Sequence, residues 1–311
     1  MLARLAENLY WYGRYIERAE GIARLINVTD HLNMDLPSGV HTGWEPLVRI
    51  TGNASLFNDS HEAAREHDVV RFLVLEDSNP TSLKTTLESS RENLRSARDL
   101  VPREAWEQMN ALYIKSQEQL SGKLSKRRRQ DFLEQLILDC QQIAGTLQGT
   151  MSQDHAYDFI LIGRHLERAD MISRILEVRG YDLLPETTED LGPFESVQWM
   201  SVLKSLTGYQ MYRRHVRSRV SGADVLRFLL RDGQFPRSIM FCMRALEDLL
   251  EGLPGEDDRS LRVVARLQRL LNDTQVGDLK GKSLASFMDQ LQIELADTDT
   301  AIRQTWFGSD L

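Results

Sequence analysis

LYWYGRYIERAEGIARLINV (9–28) returns as FILIGRHLERADMISRILEV (159–178), 150 residues later, with eight of twenty positions identical. Composition alone would give about one or two identities. The retained pairs are Gly13/Gly163, Arg14/Arg164, Glu17/Glu167, Arg18/Arg168, Ala19/Ala169, Ile22/Ile172, Arg24/Arg174 and Val28/Val178. Most of them are not core fillers. In the first copy Leu5, Leu9, Tyr12, Ile16, Ala19, Ala23 and Ile26 recur at alternating spacings of four and three. That period predicts a long helix with one apolar stripe.

The match continues outward from this helix. Trp44 and LVRITG (47–52) answer Trp199 and VLKSLTG (202–208), and Phe72-Leu73 with NPTSL (79–83) answers Phe228-Leu229 with FPRSI (235–239). FLEQLILD (132–139) answers FMDQLQIE (287–294) at an offset of 155. A tandem duplication of about 155 residues explains the series better than chance. The expected fold is all-α, a closed pseudo-twofold helical bundle whose halves, 1–149 and 150–311, pack as one unit. Asn79 reads as an N-cap with Pro80 at the first helical position, opening a helix to about Val101, and Pro102 starts the next. Further helices are expected at 128–151, 154–178, 195–218, 224–231, 236–252, 259–273 and 283–306. Long loops are expected at 29–43 and 179–194, each directly after the repeated helix.

Glycine and proline, 19 and 8 of 311 residues, are scarce enough for a chain of long helices. The balance of 38 basic against 46 acidic residues, net −8, argues against broad binding to nucleic acid or anionic membrane. No stretch reaches the roughly 18 apolar residues of a membrane span, and the charged N-terminal segment has no signal-peptide core, so a cytoplasmic protein is expected. Cys140 and Cys242, each within an apolar helical pattern, are expected to be buried reduced thiols.

At 100° per residue, Arg14, Glu17, Arg18, Gly21 and Arg24 share an arc of about 120° opposite the apolar stripe. Three readings of this Glu–Arg face stand side by side. Glu20/Arg24 and Asp170/Arg174 are i,i+4 acid-before-base pairs, which a solvated face would carry. Buried ion pairs between helices would hold the charges in register, because breaking one leaves an unpaired buried charge. A functional face would use Arg14, Arg18, Arg24, Arg164, Arg168 and Arg174 to grip a carboxylate or phosphate, with Glu17 or Glu167 as acid or base. Asp154, His155 and Asp158 could place two carboxylates on one helix face, but the Glu-x-x-His tetrad of a di-iron bundle is missing and the histidines are scattered, so neither metal nor cofactor is predicted. The basic runs KLSKRRR (123–129) and YRRHVRSR (212–219) read first as solvated segments. Gly-rich phosphate loops and nucleophile elbows lack their residues.

GRYIERAEGIARLI and GRHLERADMISRIL, with NPTSL and FPRSI downstream, resemble the bacterial alpha-E proteins, an all-helical family named for its Glu-Arg motif. The resemblance spans essentially the whole chain and places the motif on Glu17, Arg18, Glu167 and Arg168. Met171 stands where the first copy has Gly21. Members are typically encoded beside a circularly permuted ATP-grasp ligase and a transglutaminase-like protein, which implies a part in making or modifying peptides or other amides. The expected role is therefore that of an accessory helical protein which binds such a partner or presents a substrate to it. The alternative is an enzyme acting on an anionic substrate at the Glu–Arg face.

Overall fold

The computed structural model describes residues 1–35, 43–121, 125–183, 195–217, 219–255 and 258–308. The first repeated segment lies in α1 (Ala3–Asp35), the second in α8 (His155–Leu183). Both helices overrun their expected ends, so 29–35 and 179–183 are helical and not loop; the rest of the two expected loops, apart from Gly43, lies outside the described residues. No residue from Leu5 to Asp30 is fully exposed, nor any from Ala156 to Gly180. An amphipathic helix would leave its charged face to water. Here that face is covered as well, so the picture of an apolar stripe backed by a solvated charged face fails.

Between the repeated helices run α2 (Glu45–Ile50), α3 (Ala54–Ser60), α4 (Glu66–Val74), α5 (Leu83–Ser96), α6 (Arg103–Leu120) and α7 (Lys126–Thr150). After α8 come α9 (Glu195–Ser205), α10 (Tyr209–His215), α11 (Gly222–Arg231), α12 (Ile239–Gly252), α13 (Arg259–Asp273) and α14 (Gly281–Trp306). Helix is the regular structure throughout the described residues, apart from two short 3-10 turns at Arg98–Leu100 and Val276–Asp278. The expected helix at 195–218 is two, split at Leu206–Gly208. None of the helices is long and apolar enough to cross a membrane, among the described residues.

The helix expected from Asn79 begins three residues later. Ser82 is the N-cap, accepting from Thr85 N at 3.3 Å. Asn79 is fully buried and holds the turn instead: its Nδ2 donates to Phe72 O at 3.0 Å and its Oδ1 accepts from Thr81 N at 3.0 Å. In FPRSI, Ser238 caps α12 in the same way, accepting from Phe241 N at 3.1 Å. The helix-start signal is thus the serine two residues after the proline, in agreement with the general preference for Ser at N-cap.

Contacts divide the chain into two compact units: Met1–Asn33, Pro37–Arg164 and Trp306–Gly308 form one, and Met34–Leu36, His165–Thr305 and Ser309–Leu311 the other. The division falls inside α8. In the first unit α6 packs against α5 and α7; in the second α12 packs against α11 and α13. The first unit also contains the crossing of α1 with the start of α8. A β-carbon on Gly13 would collide with the carbonyl oxygen of Ile160 and stand 3.2 Å from Arg164 N. One on Gly163 would collide with the carbonyl oxygen of Tyr10 and stand 3.1 Å from Arg14 N. Each glycine therefore packs directly on the other helix's backbone, which repays its poor helix propensity.

Gly13→Ala and Gly163→Ala must part the two backbones, and each is expected to lower unfolding stability by about 2–3 kcal/mol. Gly145 is exposed in α7 with open space around it. Gly145→Ala should therefore raise stability by about 0.5–1 kcal/mol, and chemical denaturation of the three variants separates the two behaviours.

Candidate functional site

The Glu–Arg residues that lie in the first unit form a buried polar cluster around the crossing. Glu17 is 3% exposed, and its Oε2 lies 3.3 Å from both Nε and Nη2 of Arg164. Arg14 is buried, donates from Nη1 to Tyr10 Oη at 2.9 Å, and lies 5.7 Å from the centre of the Trp11 ring. Arg18 sits over the Tyr15 ring at 5.6 Å. Glu20, 2% exposed, accepts from Nε and Nη2 of Arg24 at 3.0 and 2.7 Å, so the expected i,i+4 pair forms but as a buried pair.

Tyr12, Glu20, Cys140 and Arg164 surround a void of about 10 Å³. That is the space of about one water, far below what a substrate needs. The Tyr12 hydroxyl is buried with no hydrogen-bond partner among the described residues. Burial pushes its pKa up, with Arg164 pulling the other way. Burial likewise raises the Cys140 thiol well above its ordinary value, and the carboxylates of Glu20 and Glu17 add to the rise. Cys140 and Cys242 are both buried and outside any disulfide.

The second unit holds the remaining motif residues. Glu167 is 2% exposed. Arg168 donates from Nη1 to the carbonyl of Pro236 at 3.2 Å, which ties the Glu-Arg motif to the FPRSI turn. Arg174 pairs with Asp170 at 2.9 Å, half-buried and in the expected i,i+4 relation. Both motif glutamates are thus removed from solvent. At the start of α8, Asp154 Oδ1 accepts from Ala156 N at 2.9 Å, and His155 lies 3.4 Å from Asp158. Among the described residues no group of three or more His, Cys, Asp or Glu side chains is placed to hold a metal ion.

One charged cluster was not visible as such in the sequence. Arg129, the last residue of KLSKRRR, is only 5% exposed. Its Nη2 donates to both oxygens of fully buried Asp30, at 2.8 and 2.6 Å, and to Glu66 at 2.8 Å, while its guanidinium lies 5.8 Å from the Trp44 ring centre. The periodicity of α7 carries the missing signal. Arg129 stands three and four residues before Phe132 and Leu133, on the buried stripe. In the sequence match, Gly180, Leu284 and Trp199 stand opposite Asp30, Arg129 and Trp44. A β-carbon on Gly180 would lie 2.6 Å from Leu284 Cδ2 and 3.8 Å from the Trp199 ring.

Arg129→Leu leaves Asp30 buried without its main partner and is expected to cost about 3–5 kcal/mol. The double variant Asp30→Gly, Arg129→Leu installs the residues of the later half and should recover most of that loss. A double-mutant cycle from urea denaturation measures the difference.

A family profile described as a predicted alpha-helical domain with a conserved ER motif, Alpha-E, matches residues 1–307. Uncharacterized proteins of Mycobacterium bovis and of two strains of Mycobacterium tuberculosis are 24% identical over 314 residues, which is 94% of this chain and 34% of each relative. The chain spans about a third of the length of the curated relatives it matches. No solved structure matches it. With the motif glutamates at 17 and 167 and the profile match running through nearly every described helix, the chain belongs to the Alpha-E family.

Proposed function

We propose that this chain is a non-catalytic, accessory helical protein of a bacterial amide-forming system, where it binds a partner enzyme or presents a substrate to it. The observation that carries the reading is the burial of Glu17 and Glu167, at 3% and 2% exposure. A general acid or base must reach its substrate directly or through one water. These two carboxylates are enclosed, and the void beside Glu20 and Arg164 has room for a water and no more. Glu17 pairs with Arg164 between two packed helices, and a buried pair of this kind is costly to break. The length of the mycobacterial relatives supports a working context in which this region acts with other protein, since it matches only 34% of their chains. The ATP-grasp ligase and the transglutaminase-like protein are the partners that the family resemblance supplies, and the cytoplasm is the compartment proposed for them.

The same reading takes the chain as a tandem duplication with pseudo-twofold halves at 1–149 and 150–311. Helices α1–α7 and α8–α14 follow one order, with α5 and α12 of 14 residues each, α3 and α10 of 7 each, and α7 and α14 of 25 and 26. The glycine contacts support it too, because Tyr10 and Arg14 against Gly163 answer Ile160 and Arg164 against Gly13.

Two measurements test the proposal. The tagged chain should co-purify with the ATP-grasp ligase, with or without nucleotide, and clean absence of association would overturn the partner assignment. Glu17→Gln with Glu167→Gln should lower stability by about 2–3 kcal/mol per site yet leave product formation by the reconstituted system unchanged at a temperature where the variant is folded. A loss of turnover in a folded variant would restore the enzymatic reading.

A further inference from the structure

We propose that the chain associates head to tail with a second copy of itself, the arginine-lined face of α13 and α14 on one molecule meeting the acidic face of α6 and α7 on the other. In α13, Arg259, Arg262, Arg266 and Arg269 are all exposed. Their spacing of three, four and three residues confines them to an arc of about 80° and a length of about 15 Å. No acidic residue stands between Arg259 and Asn272, in a chain whose net charge is −8. All four arginines line one groove of about 480 Å³, with Asp297 and Thr300 on its α14 side.

The exposed face of α6 has the opposite sign. Its buried residues Ala105, Met109, Leu112 and Ser116 stand 155 positions before Ser260, Val264, Leu267 and Leu271, which are buried in α13. In that register Glu104 and Glu107 answer Arg259 and Arg262, while Ala111 and Ile114 answer Arg266 and Arg269. Glu118 extends the acidic stripe by one more turn, and these five side chains of α6 are all exposed. The inward faces of the two helices agree and the outward faces carry opposite charge. Each face can therefore neutralise the other, which is the complementarity that steers two protein surfaces together. Because the faces differ, the contact is heterologous.

The charges are available at small cost. Glu104, Glu118 and Arg269 make no ion pair among the described residues. Glu107 pairs with Arg103 at 2.7 Å, but both side chains are more than half exposed, and such a pair contributes little. Each face also presents apolar surface beside its charges. Ile114 and Leu138 of α7 are exposed near the point where Lys115 Nζ meets Asp139 at 3.6 Å. On the other face Ile293, 155 positions after Leu138, is exposed on the side of α14 that carries Asp297 and Thr300. A nucleic acid would satisfy the arginines, yet its phosphates would leave Ile293 in water and meet repulsion from Asp297 and from the net negative charge of the chain. A second copy answers the charged and the apolar groups together.

The inference does not rest on the accessory role, since it concerns this chain alone. Sedimentation velocity should show species heavier than the monomer that grow with protein concentration at about 0.01 M salt and dissociate at about 1 M, where the screening length falls from about 30 Å to about 3 Å. Arg259→Glu with Arg262→Glu cancels the positive stripe, and Glu104→Arg with Glu107→Arg reverses the acidic one. Each double variant alone should self-associate at least tenfold more weakly than the parent, with the helical circular dichroism unchanged. An equimolar mixture of the two should associate again, because one keeps the acidic face and the other the arginine face; a variant that had merely unfolded would not recover. A parent chain that stays monomeric at low salt, oligomers that survive high salt unchanged, a double variant that associates like the parent, or a mixture that stays monomeric would overturn the proposal. Capture of a duplex oligonucleotide on the arginine face of a monomer would overturn it too.

Discussion

Two helix backbones in direct contact leave no room for a side chain between them, and at the crossing of α1 with the start of α8 neither Gly13 nor Gly163 can carry a β-carbon. That exclusion governs what surrounds it. Helices that touch at the backbone bring their neighbouring residues into the same enclosed space, and in the first unit those residues include Arg14, Glu17 and Arg164. Their charges cannot then be left to water. Arg164 meets Glu17, Arg14 meets Tyr10 and the Trp11 ring, and Glu20 meets Arg24. Glycine and charge are retained together because one creates the enclosure that the other must satisfy.

The energetic sign of such a cluster is not that of a surface salt bridge. Taking carboxylates and guanidinium groups out of water costs several kcal/mol per ion, on the order of what their pairing returns, so the net gain in stability is small. What the pairs supply is geometric intolerance. A slip of α1 by one residue would carry Glu17 about 100° around the helix axis, away from Arg164 and into apolar packing. The cluster penalises wrong registers more than it rewards the right one, which is the best attested use of buried polar groups in helical assemblies. The single-water void beside Tyr12, Glu20, Cys140 and Arg164 fits this role, being too small to admit a reactant.

The helical class and the placement of most helices were legible from periodicity, because long amphipathic segments announce themselves and glycine and proline are few. The helix start at 79–83 was misread for a local reason: Asn-Pro is a strong N-cap signal, but Asn79 spends its side chain on Phe72 O and Thr81 N, and Ser82 takes the cap. The solvated-face reading failed because a wheel shows which residues share a side of α1, not how many neighbours cover it. Arg129 was hidden by composition, since a run of four basic side chains reads as solvated until its last member is set against Phe132 and Leu133. A cleft beside it could not be read at all. Its walls come from α4, α5, α6 and α7, and their convergence is a property of packing.

Differences between matching positions locate what is particular to one half. Around Trp44 the chain spends three charged residues, Asp30, Glu66 and Arg129, whereas Gly180 and Leu284 pack beside Trp199. Stability alone gives no reason for the choice, because a well-packed apolar replacement for a buried ion pair is commonly neutral or favourable. A charge kept where packing alone does not require one points to a constraint other than folding, and Arg129 lines a cleft of about 920 Å³. The motif glutamates Glu17 and Glu167 are both enclosed, which fits a part in holding the helices together.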